Sequence, residues 1–110
     1  MKKFIDAFNG MKIALAHKSV IIQIILGLIA IIGGIIIKLN YYEWIIFIIC
    51  IFFVIFAEVF NTSIERIGDY IDSNKNEKIK EIKDLSSAAV LISAIGALLI
   101  LFAVVLRRLI

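Results

Sequence analysis

The sequence predicts an all-α integral membrane protein, with an N-terminal amphipathic surface helix followed by three transmembrane helices. Hydrophobic residues make up 63% of the 110 residues, and the mean hydropathy of +1.07 is far above that of a soluble domain this size. At about 1.5 Å per residue, each of three apolar runs can cross a hydrocarbon core of about 30 Å. These runs cover residues 20–37, 44–60 and 85–106.

Residues 1–18 form the predicted surface helix. Helical periodicity places Phe4, Phe8, Met11 and Leu15 on one face, with lysines elsewhere and only Ile13 interrupting the pattern. The first apolar run begins too late for a removable signal peptide and lacks the small-residue cleavage pattern. We therefore expect three retained spans.

The remaining elements follow in order within a single domain that has no internal repeat and no proline. Gln23 alone interrupts the first span, and the helix of the second span continues to about residue 71. Residues 72–84 form a charged connection with two readings: a solvated connector, or a segment whose second half extends the third helix. The third span, 85–106, carries no charge.

The distribution of positive charge predicts the orientation in the membrane. Nine of the twelve Lys and Arg residues lie in the first 18 residues, at the end of the second helix, or in the connection after it. Cytoplasmic segments hold this excess, so the N-terminus and the 72–84 connection face the cytoplasm, and the C-terminus lies outside. Tyr41, Tyr42 and Trp44 form an outer aromatic belt. The net charge of +3 is explained by anionic lipid headgroups and needs no nucleic acid.

A polar stripe along the second helix is the main functional signal. Glu58, Asn61, Glu65 and Asp69 follow one another at intervals of three, four and four residues, which keeps them within a sector of roughly 80° on a helix. Glu58 lies about 21 Å inward from Trp44, and Glu65 is about 10 Å further along. An acid inside a span costs roughly 2.5–3.5 kcal/mol, so it is a functional candidate by default. The structural alternative for Glu58 is a hydrogen bond between helices.

This stripe suits chemistry on the polar end of a lipid with a soluble cosubstrate. Such chemistry needs a base near the lipid hydroxyl, oxygen ligands for a divalent cation, and a cation for developing phosphate charge. Lys83 and Asp84 lie just before the third span, at about the level of Glu65. Lys83 supplies the cation for the phosphate charge, and Asp84 adds another acid. No Gly-rich phosphate loop or kinase-type signature occurs, so a nucleotide site must be of another kind.

Two segments, "AEVFNTSIERIGDYI" and "KDLSSAAVLIS", resemble the prokaryotic diacylglycerol kinase family, which includes the undecaprenol kinases of Gram-positive bacteria. The resemblance covers the chain from Phe8 onward. It depends on the acid-x-x-Asn-x-x-x-Glu-x-x-x-Asp stripe and on Lys-Asp leading into Ser-Ala-Ala. It implies a homotrimer in the bacterial plasma membrane, with active sites shared between subunits. It also implies ATP-dependent phosphorylation of a membrane lipid alcohol with Mg²⁺.

Residue roles also follow from the resemblance. It makes Glu58 the general base, Asn61 the asparagine beside it, and Glu65 the metal ligand. The implied nucleotide-binding set is Asn61, Glu65, Asp69, Asn74, Lys75, Asn76, Lys83 and Asp84. Within that set, Lys83 and Asp84 match the pair that contacts the nucleotide phosphate and sugar.

One position departs from the family pattern. Where the family usually has a second metal-binding glutamate, this sequence reads "ALAHKSVIIQ", with Lys18 at the aligned position and His17 before it. A cation there predicts weak activity, altered phosphate binding or a lost reaction. Glu65, Asp69 and phosphate oxygens could still hold a magnesium ion that keeps several waters. His17 is expected to be an interfacial polar residue, with metal ligation as the alternative.

The small residues Gly27, Ala30 and Gly34 form a seam in the first span that suits close helix packing, within the chain or between subunits. A similar seam in the third span comprises Ala89, Ser93 and Ala97. Cys50, alone and mid-span, is expected to be a packing residue.

The sequence thus predicts a lipid kinase that transfers the γ-phosphoryl group of ATP to a lipid hydroxyl. Undecaprenol is the first choice of acceptor, because the Ile-, Lys- and Asn-rich sequence looks like the product of an AT-rich Gram-positive genome. Diacylglycerol is the alternative acceptor. A reading from another class is a non-enzymatic membrane assembly or ion-conducting subunit, with Glu58 as a proton site.

Overall fold

A computed structural model of the chain describes residues 1–72 and 76–110, and these residues form four helices. The helices are α1 (Lys2–Ala14), α2 (Lys18–Ile36), α3 (Tyr41–Ile71) and α4 (Glu77–Leu109). The last three are long and apolar enough to cross a membrane, judged by length and composition. The all-α membrane fold class with three long apolar helices is therefore confirmed. No residue of α1, which is described throughout, is buried.

The helix boundaries follow from local chemistry. Lys38 adopts a left-handed backbone conformation with φ of 57° just after α2, and this ends the helix. Asn40 and Glu43 form a capping box at the start of α3, in which each side chain accepts a hydrogen bond of 2.9 Å from the other residue's backbone N–H. The oxygen of the Asn76 side chain caps α4, so the second half of the 72–84 connection is helical.

Glycine allows α2 to pack closely against α3. A Cβ at Gly27 would lie 2.8 Å from Ile51 Cγ2, and one at Gly34 would lie 2.9 Å from the Trp44 ring. Both positions therefore need a residue without a side chain at this packing distance. The two contacts are seven residues apart on each helix, 27 to 34 and 51 to 44, which defines an antiparallel register. The glycines of the predicted seam in α2 thus make contacts within the chain.

Helices α3 and α4 form a second antiparallel pair, with a side-chain contact near each end. Glu43 pairs with Arg108 at one end, and Gly68 lies against Lys83 at the other. The two contacts are 25 residues apart on each helix, 43 to 68 and 83 to 108, which corresponds to about 38 Å of helix. These contacts therefore bracket a length somewhat greater than a hydrocarbon core of about 30 Å.

Arg108 joins the end of α4 to the loop between α2 and α3. Its guanidinium donates to Glu43 Oε1 at 2.5 Å and to the carbonyl oxygens of Ile37 and Lys38 at 2.6 and 3.0 Å. The Glu43 side chain is only 14% exposed. The carbonyls at a helix C-terminus lack intrahelical hydrogen-bond donors. Arg108 supplies a donor to the two carbonyls that follow α2.

We expect Arg108→Ala to lower the free energy of unfolding by about 1.5–3 kcal/mol, because Glu43 and two carbonyls lose a charged donor. Unfolding in detergent, followed by circular dichroism, measures the change. Arg107→Ala is the matched control, since Arg107 is an exposed neighbour and surface changes usually stay within about 0.5 kcal/mol. Equal losses for the two variants would contradict the role of Arg108.

Candidate active site

The polar stripe of α3 passes from a buried end to an exposed end. Glu58 and Asn61 are 5% and 7% exposed, whereas Glu65 and Asp69 are exposed. This gradient arises because α3 continues past the start of α2, while its last turns still contact α4 at Gly68. The stripe therefore offers a shielded acid at one end and solvent-accessible acids at the other.

Hydrogen bonds organise the buried end of the stripe. Asn61 Nδ2 donates to Glu65 Oε1 at 2.5 Å, and Thr62 Oγ1 donates to the backbone oxygen of Glu58 at 3.0 Å. Asn61 Oδ1 is buried and accepts no hydrogen bond within residues 1–72 and 76–110. A buried amide oxygen without a donor is costly, which makes it an available acceptor for a ligand group.

Lys83 is the residue of α4 that reaches the stripe. Its ammonium group forms an ion pair with Asp69 Oδ1, and the side chains of Lys83 and Asp69 are 31% and 61% exposed. The sequence predicts Lys83 at the level of Glu65, but the structure places it against Gly68 and Asp69, about one helical turn further along. The antiparallel register of α3 and α4 fixes this level.

Asp84 does not join the stripe within the chain. Its carboxylate accepts a hydrogen bond of 2.8 Å from Lys80 Nζ, four residues earlier on α4. This hydrogen bond, together with the charge of Asp84, raises the pKa of Lys80. The neighbourhood of Asp84 is a shallow surface depression of about 400 Å³ lined by Glu81, Asp84, Leu85 and Ala88.

Of the remaining predicted positions that the structure describes, Asn76 lies at the start of α4, and His17 and Lys18 lie at the start of α2. Asn76 uses its side-chain oxygen to cap α4, and Asn74 and Lys75 lie outside the described residues. His17 precedes α2 without a side-chain cap, and exposed Lys18 is the first residue of that helix. Continuing the α2–α3 register from Gly27 opposite Ile51 places Lys18 at the level of Phe60, next to Asn61.

The donor set fits a magnesium ion only when phosphate oxygens complete it. Among the described residues, no group of three or more His, Cys, Asp or Glu side chains is placed to hold a metal ion. Mg²⁺ in nucleotide sites is usually bound through one or two carboxylates, substrate phosphates and water. Glu65, exposed and oriented by Asn61, matches that requirement as a single carboxylate.

The structure also reveals residues near the stripe that the sequence-based prediction missed. Thr62 and Ser86 are buried polar residues, 9% and 8% exposed, and Gly68 of α3 is buried beneath the Lys83 side chain of α4. A glycine within an otherwise strong helix is a detectable signal of close approach. Nothing in the local sequence distinguishes Thr62 or Ser86 from other hydroxyl residues.

Two apolar grooves lie between α2 and α4, over the part of α3 between Phe47 and Val54. The larger has a volume of about 750 Å³, with Ala30, Phe47 and Phe102 among its lining residues. The second, of about 280 Å³, includes Gln23, Cys50 and Ala97. Such surfaces suit hydrocarbon chains, while the stripe provides the polar groups.

The site thus combines a buried acid and amide on α3 with an exposed acidic end that receives a lysine from α4. Comparison with known families matches residues 6–105 to the prokaryotic diacylglycerol kinase family, so the chain belongs to that family of membrane lipid kinases. The predicted resemblance is confirmed. No curated protein matches the chain.

Proposed function

We propose that this chain phosphorylates a membrane lipid alcohol with ATP as the phosphoryl donor. The observation that carries the proposal is the placement of buried Glu58 and Asn61 on one face of α3, with Glu65, Asp69 and Lys83 at its exposed end. A lipid hydroxyl reaches the first group from the membrane, and a nucleotide reaches the second from water. Family membership supports the same class of reaction.

In the proposed step, Glu58 accepts the proton of the lipid hydroxyl as its oxygen attacks the γ-phosphorus. The bond from the γ-phosphorus to the bridging oxygen of ADP breaks, and ADP leaves with its electron pair. Lys83 stabilises negative charge on the phosphates, because an ammonium group in a partly shielded site interacts with them more strongly than in bulk water. Asn61 orients Glu65 through their hydrogen bond.

The nucleotide is proposed to lie over the exposed end of the stripe. Glu65 would hold Mg²⁺ together with phosphate oxygens, while Asp69, Asp84 and residues 74–76 lie near the nucleotide. When bound, the ion neutralises phosphate charge. This arrangement requires the N-terminus and the 72–84 connection to face the cytoplasm, where ATP is available, with the C-terminus outside the bacterial plasma membrane.

Lys18 gives this site an unusual charge balance. The α2–α3 register places it at the level of Phe60, between the depths of Glu58 and Glu65. We propose that Lys18 changes phosphate binding here, because a cation replaces the acid that the resemblance implies. The His17 side chain remains an interfacial polar group in this proposal.

Undecaprenol is the proposed acceptor, with diacylglycerol as the alternative. The sequence composition supports undecaprenol, and the apolar lining of the grooves between α2 and α4 is compatible with the hydrocarbon of either lipid. The direct test is transfer of labelled phosphate from ATP to a panel of lipid alcohols by the purified protein in micelles. Transfer to no lipid would favour a non-enzymatic membrane assembly or ion-conducting subunit.

Glu58→Gln should lower the rate of phosphoryl transfer by about 10²–10⁴-fold, the usual contribution of a general base. The amide keeps the side-chain volume and loses the proton acceptor, so the helical content and the oligomeric state should not change. The labelled-ATP assay measures the rate, and circular dichroism verifies the fold. A folded variant with wild-type turnover would remove Glu58 from the mechanism.

Glu65→Ala and Lys83→Ala should each raise the apparent KM for Mg-ATP by about tenfold or more, since a charge-assisted contact is worth about 1.5–3 kcal/mol. The apparent KM for the lipid should change little, because both groups lie at the exposed end of the stripe. Separate titrations of nucleotide and lipid check this. A change confined to the lipid titration would show that the two substrates have been placed at the wrong ends.

We also propose that the chain assembles as a homotrimer with active sites shared between subunits. Exposed Ala89 on α4 supports a close helix contact, as small residues let membrane helices approach. Light scattering of the protein in detergent should give the mass of three chains after subtraction of the detergent. A monomeric mass for a fully active sample would exclude shared sites.

A further inference from the structure

Gly68 occupies an unusual position in α3. It is the single glycine of this helix, which is described along its whole length, and it lies between the stripe residues Glu65 and Asp69. Glycine is a weaker helix former than alanine, because its backbone loses more conformational freedom. A glycine at this place therefore has a local structural cost, and its contacts indicate what offsets that cost.

The Lys83 side chain lies across the space that a side chain at Gly68 would occupy. A Cβ on Gly68 would lie 2.9 Å from Lys83 Cε, 3.7 Å from Lys83 Cγ and 3.1 Å from Ile79 Cγ2. From this position the Lys83 ammonium reaches Asp69, the residue that follows Gly68. The bare backbone of Gly68 thus forms a notch that directs the lysine onto the exposed end of the stripe.

We propose that Gly68 is a positioning residue, whose missing side chain sets the place where Lys83 presents its ammonium group to a nucleotide phosphate. This inference rests on the proposed function and adds to it the element that determines the reach of Lys83. Asp69 holds the ammonium in the absence of nucleotide, and a phosphate displaces Asp69 on binding. Because both side chains are partly exposed, the exchange needs no rearrangement of the helices.

Gly68→Ala tests this inference without removing a charge. The closest atom to the new methyl group is the flexible end of Lys83, which can move, whereas Ile79 Cγ2 at 3.1 Å must shift by a few tenths of an ångström. We expect a folded protein with an apparent KM for Mg-ATP raised about tenfold and an unchanged KM for lipid. Misplacing a catalytic contact by about 1 Å can lower the rate by up to 10²-fold, so a tenfold effect lies within the usual range.

Gly96→Ala is the matched control, since a Cβ at Gly96 meets no atom within 4 Å among the described residues. It adds the same methyl group to a helical glycine away from Lys83, and should leave the nucleotide KM unchanged. Adding Lys83→Ala to the Gly68→Ala variant should raise the KM less than it does in the wild type. Full additivity would mean that Gly68 acts independently of Lys83, and would overturn the proposal.

A second measurement reports the position of the Lys83 side chain and does not depend on phosphoryl transfer. Brief acylation of the purified protein followed by mass spectrometry gives the reactivity of Lys83 relative to exposed Lys78. Gly68→Ala and Asp69→Asn should both raise the relative reactivity of Lys83, because its ammonium loses the contact with Asp69. A non-hydrolysable ATP analogue with Mg²⁺ should restore protection in Asp69→Asn, because phosphate takes the place of the carboxylate.

The two measurements separate this inference from the proposed function. If the wild-type protein transfers no phosphate to any lipid, the proposed function fails, and the acylation of Gly68→Ala still decides whether Gly68 positions Lys83. Unchanged acylation in that variant overturns the positioning role. If the analogue binds but leaves Lys83 of Asp69→Asn reactive, the exchange between Asp69 and phosphate is wrong.

Discussion

The antiparallel register between α3 and α4 is the constraint on which the candidate site depends. The contact of Glu43 with Arg108 and that of Gly68 with Lys83 lie 25 residues apart on each helix. A shift of one helical turn would separate both pairs by about 5 Å. It would also place Lys83 beside another residue of α3. The contacts at the two ends of the α3–α4 pair therefore depend on the same register between the helices.

Burial along α3 divides the stripe into two chemically different parts. Glu58 and Asn61 lie within the packed bundle, where a charge or an unpaired amide oxygen is costly, whereas Glu65 and Asp69 are exposed. In our proposal a lipid hydroxyl forms hydrogen bonds with the buried pair, Glu58 and Asn61. The exposed pair, Glu65 and Asp69, suits a hydrated metal ion and a nucleotide. The extension of α3 past the start of α2 creates this division, although α4 still packs against Gly68.

Family membership and the features of this particular chain carry different information. The match over residues 6–105 defines the class of membrane lipid kinase. Lys18 and Gly68 bear instead on how this chain arranges its charges. Lys18 adds a cation at the level of Phe60, and Gly68 is proposed to direct Lys83 to the exposed acids. In our proposal Lys18 changes phosphate binding directly, and Gly68 does so through Lys83. Both residues therefore concern nucleotide binding more than the choice of lipid.

The sequence by itself determined the membrane class, the three long apolar helices and the sharing of one helical face by Glu58, Asn61, Glu65 and Asp69. These features depend on hydropathy and on the 3.6-residue period, which are local properties. The tertiary structure decided that Lys83 contacts Asp69 one turn beyond the predicted level, that Asp84 pairs with Lys80 instead, and that Arg108 holds the α2–α3 loop. Those outcomes depend on the register between helices distant in sequence. That register is set by close contacts such as Gly27 with Ile51 and Gly68 with Lys83, and no local pattern specifies which residues will meet.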